Sequence, residues 1–378
     1  MSESPVASLE QHFGSLEDPR VDRTKLHELL DILVIAICAA ICGADGWVDV
    51  ELFGNAKLNW LCQFLTLPNG IPSHDTFGRV FARLDPEQFE ICFLNWVQAV
   101  FQVTQGQVVP IDGKRLRRSR DGSLGKAAIE MVSAWAAANH LTLGQCKVDE
   151  QSNEITAIPE LLQVLELSGC IVTIDAIGCQ TEIAQAIRAK AADYVLALKE
   201  NQGTLYRDVA ELFTDARQVD FQGVEYDYHR TVNKGHGRIE IRRFWTISDP
   251  DFITYVDPKD KWLDLACIGM VEAERRIGDE TSRETRYYIS SLSGEAVAFA
   301  EAVRGHWSIE NSCHWVLDIA FREDECRVRK ANGAQNFAVL RRIALNLLKQ
   351  EHTAKCGIKA KRLKAGWDEA YLLKVLAG

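Results

Sequence analysis

The sequence predicts an α/β protein: an all-helical N-terminal unit, then a mixed-sheet domain carrying a β-rich insertion. Three observations predict this. Residues 1–100 carry apolar side chains at helical spacing, after Gly106 short apolar strands alternate with helices, and within 220–290 apolar and polar residues alternate one by one. A chain of 378 residues is long for one core. The boundaries read as 1–105 for the helical unit and 106–350 for the sheet domain, with the insertion at about 205–290. A basic tail covers 351–378.

In order, Leu26 to Cys42 is one apolar helix stopped near Gly43, and its most apolar part, Ile32 to Ala44, is too short to span a bilayer. Trp47 to Leu65 is helical, and Pro68-Asn-Gly-Ile-Pro72 turns the chain. Ser73 caps the next helix, which places Arg79 and Arg83 on one face, as surface ion-pair partners or as DNA contacts. Val108 to Ile111 is a strand ending at Asp112. Met131 to Ala138 and Leu141 to Val148 form a hairpin around Asn139-His140. A helix over Ala157 to Leu167 follows. Gly169 to Ala176 and Asp193 to Leu198 are continuous apolar strands, as expected of strands buried on both faces, with a helix over Thr181 to Ala191 between them. Helices return from Glu295.

Charge is uneven along the chain. The net charge is −10, yet residues 1–105 hold six Lys/Arg against fourteen Asp/Glu, and residues 327–378 hold twelve against three. Residues 112–126 are also basic, six against two. The mean charge therefore does not exclude a polyanion as partner. The eleven cysteines include no C-x-x-C, which counts against a zinc ribbon and fits free thiols in a reducing cytoplasm. No basic-then-apolar signal opens the chain.

Function in such sheets gathers beyond the carboxyl ends of strands. Asp112 and Asp175 each end an apolar strand and are followed by small residues, Gly113 and Ala176. One such Asp is usually a cap or turn former; two on neighbouring strands suggest a shared metal site, and oxygen ligands favour Mg²⁺ or Mn²⁺. In RGHWSIENSCHWVLD, His306, Glu310, His314 and Asp318 recur every four residues along a helical stripe. His306 and His314 would stand roughly 12 Å apart along the axis, too far for one ion. Glu310 would complete a three-carboxylate cluster for two ions, with the histidines as neighbours and Asp318 as a partner of basic residues. Lys114, Arg115, Arg117, Arg118, Arg120, Lys199, Arg238, Arg242, Arg243, Arg341 and Arg342 would form an electropositive floor, or else unrelated solvated faces. Trp245 is either a core residue or a platform for an unpaired base.

These residues resemble a family. DPRVDRTKLHELLDIL, CGADGW, GIPSHDTFGRVFARLDP, IDGKRLRRS, TIDAIGCQ, ADYVLALKENQ, GHGRIEIR and RGHWSIENSCHWVLDIAFREDECRVR together are similar to bacterial insertion-sequence transposases of the DDE class. The similarity is to the ISAs-type group that includes the H-repeat-associated proteins of Rhs elements, and it covers about residues 10–350. It implies a ribonuclease H-like catalytic fold with a β insertion before the last acidic residue. It implies a triad of Asp112, Asp175 and Glu310 holding two Mg²⁺ ions, with Mn²⁺ as substitute, and strand cleavage at element ends followed by strand transfer. DNA is the implied partner, bound by a homodimer in the cytoplasm, with no membrane and no small-molecule substrate. The superfamily's Tyr, Arg and Lys around the glutamate are replaced here by Val303, His306 and Leu317, so the phosphate contacts would pass to Arg304 and His306. Three alternatives stay open: an immobile DNA-binding relic, a structure-selective metal nuclease without strand transfer, and, more weakly, a zinc hydrolase built on His306 and Glu310.

Overall fold

The helical unit is organised around α2 (Leu29–Cys42), which is buried along nearly its whole length because it is apolar on every side. Gly43, in the left-handed region at φ 119°, ends it. This computed structural model describes residues 6–100, 105–119, 127–148, 153–235 and 237–377; Arg120 lies outside them. Around α2 stand α1 (Ala7–Phe13), α3 (Trp47–Ala56), the single turn α4 (Leu58–Leu61), α5 (His74–Arg83) and α6 (Pro86–Val100). Ser73 accepts from the Thr76 N–H and so caps α5, as the sequence suggested.

Among the described residues, nine strands form one sheet. They are β1 (Val108–Arg115), β2 (Glu130–Ala136), β3 (Leu141–Lys147), β4 (Ile171–Ile174), β5 (Asp193–Leu198), β6 (Tyr226–Gly235), β7 (Arg238–Ile247), β8 (Cys267–Ile277) and β9 (Glu280–Ser290). The order is β3-β2-β1-β4-β5-β9-β8-β7-β6. Among the described residues only the β1–β4 and β4–β5 pairs are parallel; the β5–β9 pair, also non-consecutive in the chain, is antiparallel. The strands of the expected insertion do not fold apart. They join the sheet through β9, antiparallel to β5, and lengthen it. The helices among the strands are α7 (Glu154–Val164), α8 (Thr181–Ala189), α9 (Gly203–Gln218) and α10 (Pro250–Val256).

The chain then forms α11 (Ala296–Ile309), a π-helical turn at Glu310–His314, and α12 (Trp315–Ala320), which make one interrupted rod. α13 (Gly333–Gln350) packs on α2, α5 and α6 and also on β3, joining the helical unit to the sheet. The segment 351–378, expected as a basic tail, forms α14 (Ile358–Trp367) and α15 (Glu369–Ala377). Part of its charge is structural. The Arg362 guanidinium donates to the Ala40 carbonyl at 2.8 Å, and Lys361 Nζ to the Leu348 carbonyl at 2.9 Å. Both carbonyls lie near helix C-termini, where a cation meets the favourable end of the helix dipole.

Candidate active site

The β1–β4 register decides the position of the first two carboxylates. Ile111 pairs with Ile174, so Asp112 and Asp175 follow as neighbours where the parallel β1–β4 pairing ends; β1 itself does not stop at Asp112, as the sequence suggested, but continues to Arg115 along β2. Each is partly held by backbone: Asp112 Oδ1 accepts from the Gly113 N–H at 2.9 Å, and Asp175 Oδ1 from the Ile177 N–H at 3.1 Å.

The rod carrying Glu310 lies along β1. Gly305 permits the approach, since a Cβ there would stand 2.8 Å from Val108 Cγ1. The periods then match. Nine helical residues from Gly305 to His314 advance about 13.5 Å, and four strand residues from Val108 to Asp112 about 13 Å. Accordingly His314 Nδ1 lies 3.4 Å from Asp112 Oδ2. One helical turn further, and two strand residues further, Asp318 Oδ1 meets Lys114 Nζ at 2.5 Å. At the near end His306 Nδ1 is 3.0 Å from Thr173 Oγ1 on β4. The stripe at 306–318 thus faces β1 and β4, and Glu310 is brought to the two aspartates. The π turn that begins at Glu310 is a local widening of the kind that recurs at functional sites.

The electrostatics follow from crowding. Burial and then the charge of Asp112 raise the Asp175 carboxyl above the ordinary range. Burial and then Asp112 also raise Glu310, while His314 and Arg286 oppose the rise. Burial, more than the attraction of Asp112 and Asp175, lowers the His306 imidazole. A fourth carboxylate stands here that the sequence reading did not mark. Glu154, at the start of α7, occupies the space a side chain on Gly113 would fill, its Oε1 1.7 Å from an ideal Cβ position. Burial, then the charges of Asp175, Glu130 and Asp112, push it up to about 7. The missed signal was Asn153, which caps α7 by accepting from the Ile155 N–H at 3.0 Å and starts the helix earlier than the expected Ala157.

None of Asp112, Asp175, Glu154 and Glu310 is ion-paired to a Lys or Arg among the described residues. Like charges without a cation are what a hard divalent ion would relieve, and the donor atoms are oxygens. As the side chains stand, no group of three possible ligands among the described residues is drawn together around one point. The residues fit the ion by chemistry and neighbourhood rather than as a closed cage.

The expected electropositive floor divides. Arg115, Arg118, Lys199, Arg238 and Arg304 are exposed. Arg304, Arg242 and Arg286 line a groove of about 490 Å³ with Trp307 and Asn311, one residue beyond Glu310. Within it Arg286 lies 4.7 Å over the Trp307 ring. Arg117 is exposed and pairs with Asp324 at 3.2 Å. Arg238 and Arg242 pair with Glu240, at 2.9 and 2.7 Å. Other placements correct the sequence reading. Lys114 is buried in its pair with Asp318 and faces inward. His306, expected as a neighbour of Glu310 and a phosphate contact, is half-buried with its Nδ1 turned to Thr173. Arg341 and Arg342 are buried, and Arg342 donates to buried Glu323 at 2.9 Å. Trp245 stacks on Phe221 and under Arg217, on the face away from α11, whereas its neighbour Phe244 packs on Phe299 of α11. A base presented to Glu310 would not reach it.

Residues 104–347 match a family described as "Transposase DDE domain", and residues 10–97 match "DDE_Tnp_1-associated". The chain is 41% identical over 377 residues to "H repeat-associated putative transposase YhhI" of Escherichia coli (strain K12), covering 99% of this chain and 98% of that protein. It is 44% identical over 287 residues to "Uncharacterized protein in dhlA 3'region" of Xanthobacter autotrophicus, covering 75% and 94%. Among solved structures it aligns with a piggyBac transposase synaptic complex with hairpin DNA at TM-score 0.43 and 11% identity, over 98% of this chain and 81% of that one.

Proposed function

Given that this chain belongs to the DDE transposase family, we propose that it cuts DNA strands at the ends of a mobile element and transfers the freed 3′-hydroxyl into target DNA. The observation that supports this reading is the register that sets Asp112 beside Asp175, together with the rod of Glu310 laid along β1 so that His314, on the same stripe, lies 3.4 Å from Asp112. Asp112, Asp175 and Glu310 would hold Mg²⁺, or Mn²⁺ in its place, with Glu154 beside them. Two such ions supply an activated nucleophile and a stabilised leaving oxygen for in-line displacement at phosphorus.

The chain's own residues do the positioning. The Gly113 and Ile177 amides hold one oxygen each of Asp112 and Asp175, and the second oxygen of Asp112 faces His314. Thr173 orients His306, and the lowered His306 basicity suits a neutral ring that braces the rod. Exposed Arg304, Arg115 and Lys199 are placed for the phosphates of the reacting strand. Cleavage of two ends requires two active sites, so a homodimer on DNA in the bacterial cytoplasm is part of the proposal. The intact set of Asp112, Asp175 and Glu310 favours an active enzyme over an immobile relic. In a cleavage assay with Mg²⁺, Asp175→Asn should lose strand cutting and keep DNA affinity within about twofold; retained cutting by that variant would remove Asp175 from the site.

A further inference from the structure

A second groove lies away from the carboxylates. It has a volume of about 730 Å³ and runs between the starts of α3 and α5 and the segment Arg322–Gly333 that leaves the Glu310 rod. Its walls are tied together. The Asn332 N–H donates to the Ala82 carbonyl at 3.3 Å, and Asn336 Nδ2 donates to the Phe81 and Leu84 carbonyls at 2.8 and 3.0 Å. The gap is therefore a fixed seam between the helical unit and the catalytic domain.

The charges of the seam are unequally spent. Three of its four lining carboxylates have partners: Asp49 caps α3 by accepting from the Asp45 and Gly46 N–H groups at 3.0 and 3.1 Å. Glu325 and Asp45 are both held by Arg322, at 3.0 and 3.5 Å, while Asp75 stays exposed 3.8 Å from His74, whose Nδ1 meets Glu51 at 2.5 Å. Apart from Arg322, the cations are left over. Among the described residues Arg79 bonds only the Thr76 hydroxyl, at 3.2 Å, and Arg327 and Lys330 have no carboxylate partner. The surplus also continues toward the carboxylates, because Arg329 Nε donates to the Arg118 carbonyl at 2.8 Å. Arg118 sits in the 3-10 turn Arg117–Ser119 that follows β1, the strand of Asp112. Residues distant in sequence thus make one basic path from α5 to the active-site strand.

We infer that this seam binds the phosphate backbone of duplex DNA flanking the strand to be cut, and so sets how the DNA enters the active site. The inference rests on the transposase reading. Unpaired guanidinium and ammonium groups on a rigid wall suit phosphate oxygens, and such contacts position DNA without reading its sequence. The occupant is a duplex rather than an acidic peptide because the path leads to the carboxylates that act on DNA.

The test uses the full chain and a labelled duplex of the gene's native flank, with a scrambled duplex beside it. Binding is followed by fluorescence anisotropy as a function of NaCl for wild type and Arg327→Ala/Lys330→Ala, with Arg79→Gln as a separate variant and thermal melts confirming that each is folded. Each lost phosphate contact lowers the slope of log affinity against log salt by about 0.9. The double variant should lose about two from that slope, bind both duplexes roughly tenfold more weakly in moderate salt, and cut less at low DNA concentration. Unchanged affinity and slope in both folded variants, with wild-type cutting in Mn²⁺ intact, would overturn the seam and leave the transposase reading standing. Failure of the wild type to bind either duplex would overturn both.

Discussion

Replacing Lys114 by Met should destabilise the protein and uncouple Glu310 from Asp112. The Lys114 ammonium is buried at 8% exposure, 2.5 Å from Asp318 and within 3.9 and 3.7 Å of Glu323 and Asp324. Removing one member of a buried pair costs about 3–5 kcal/mol, because its partners keep their charge without the compensating field. Two features reduce this. Asp318 keeps 30% side-chain exposure, and Arg342 still grips Glu323 at 2.9 Å. The expected loss is therefore about 2–3 kcal/mol. Urea unfolding measures it, and the double variant Lys114→Met/Asp318→Leu should recover about 1–2 kcal/mol of the summed single losses. Because the pair ties the rod to β1 one turn beyond His314, Lys114→Met should also cut DNA more slowly while binding it normally. A change in stability below about 0.5 kcal/mol, typical of a surface site, would refute the reasoning.

Two further outcomes follow from buried carboxylates. Glu90 is buried on α6, accepts from the Gln145 N–H and Nε2 at 3.2 and 3.0 Å, and is pushed up to about 7 by burial. The folded state then keeps a proton that the unfolded chain has lost above its ordinary value of 4.5, so stability should fall as pH rises from about 4.5 to about 7. Glu90→Gln should flatten that part of the profile measured by thermal melts, its new amide reaching the unpartnered Gln145 Oε1 after that side chain flips; an unaltered slope would exclude Glu90 as its source. Gly113→Ala should fold with little loss, since the Glu154 side-chain end can swing aside, yet it should weaken Mn²⁺ binding measured by electron paramagnetic resonance; binding equal to wild type would show that Glu154 stands outside the metal site.

Much of the frame of the candidate site is legible because its signals are local. Continuous apolar runs end at Asp112 and Asp175, and burial on both faces is what such runs encode. The four-residue stripe on the Glu310 rod is visible too, although the π turn has no sequence signature and the stripe's target on β1 depends on a Gly305–Val108 approach that no periodicity reveals. Side chains paired at long range were the illegible part. Lys114 finds Asp318 204 residues away, and Arg342 finds Glu323 across a loop, so both looked like free cations. Trp245 and Phe244 are adjacent aromatics on opposite faces, and only the placement of α9 and α11 decides which one faces the rod. Strand alternation alone would have set Lys114 on the face of Asp112.

The most direct test of the central claim maps strand breaks at nucleotide resolution. The gene with its native flanks is incubated with wild type or Asp175→Asn in Mn²⁺. Paired cuts at the two flanks, made by wild type and absent with the variant, are the predicted result. Tight binding by both proteins without any metal-dependent cut would contradict the claim that Asp112, Asp175 and Glu310 form a working transposase site.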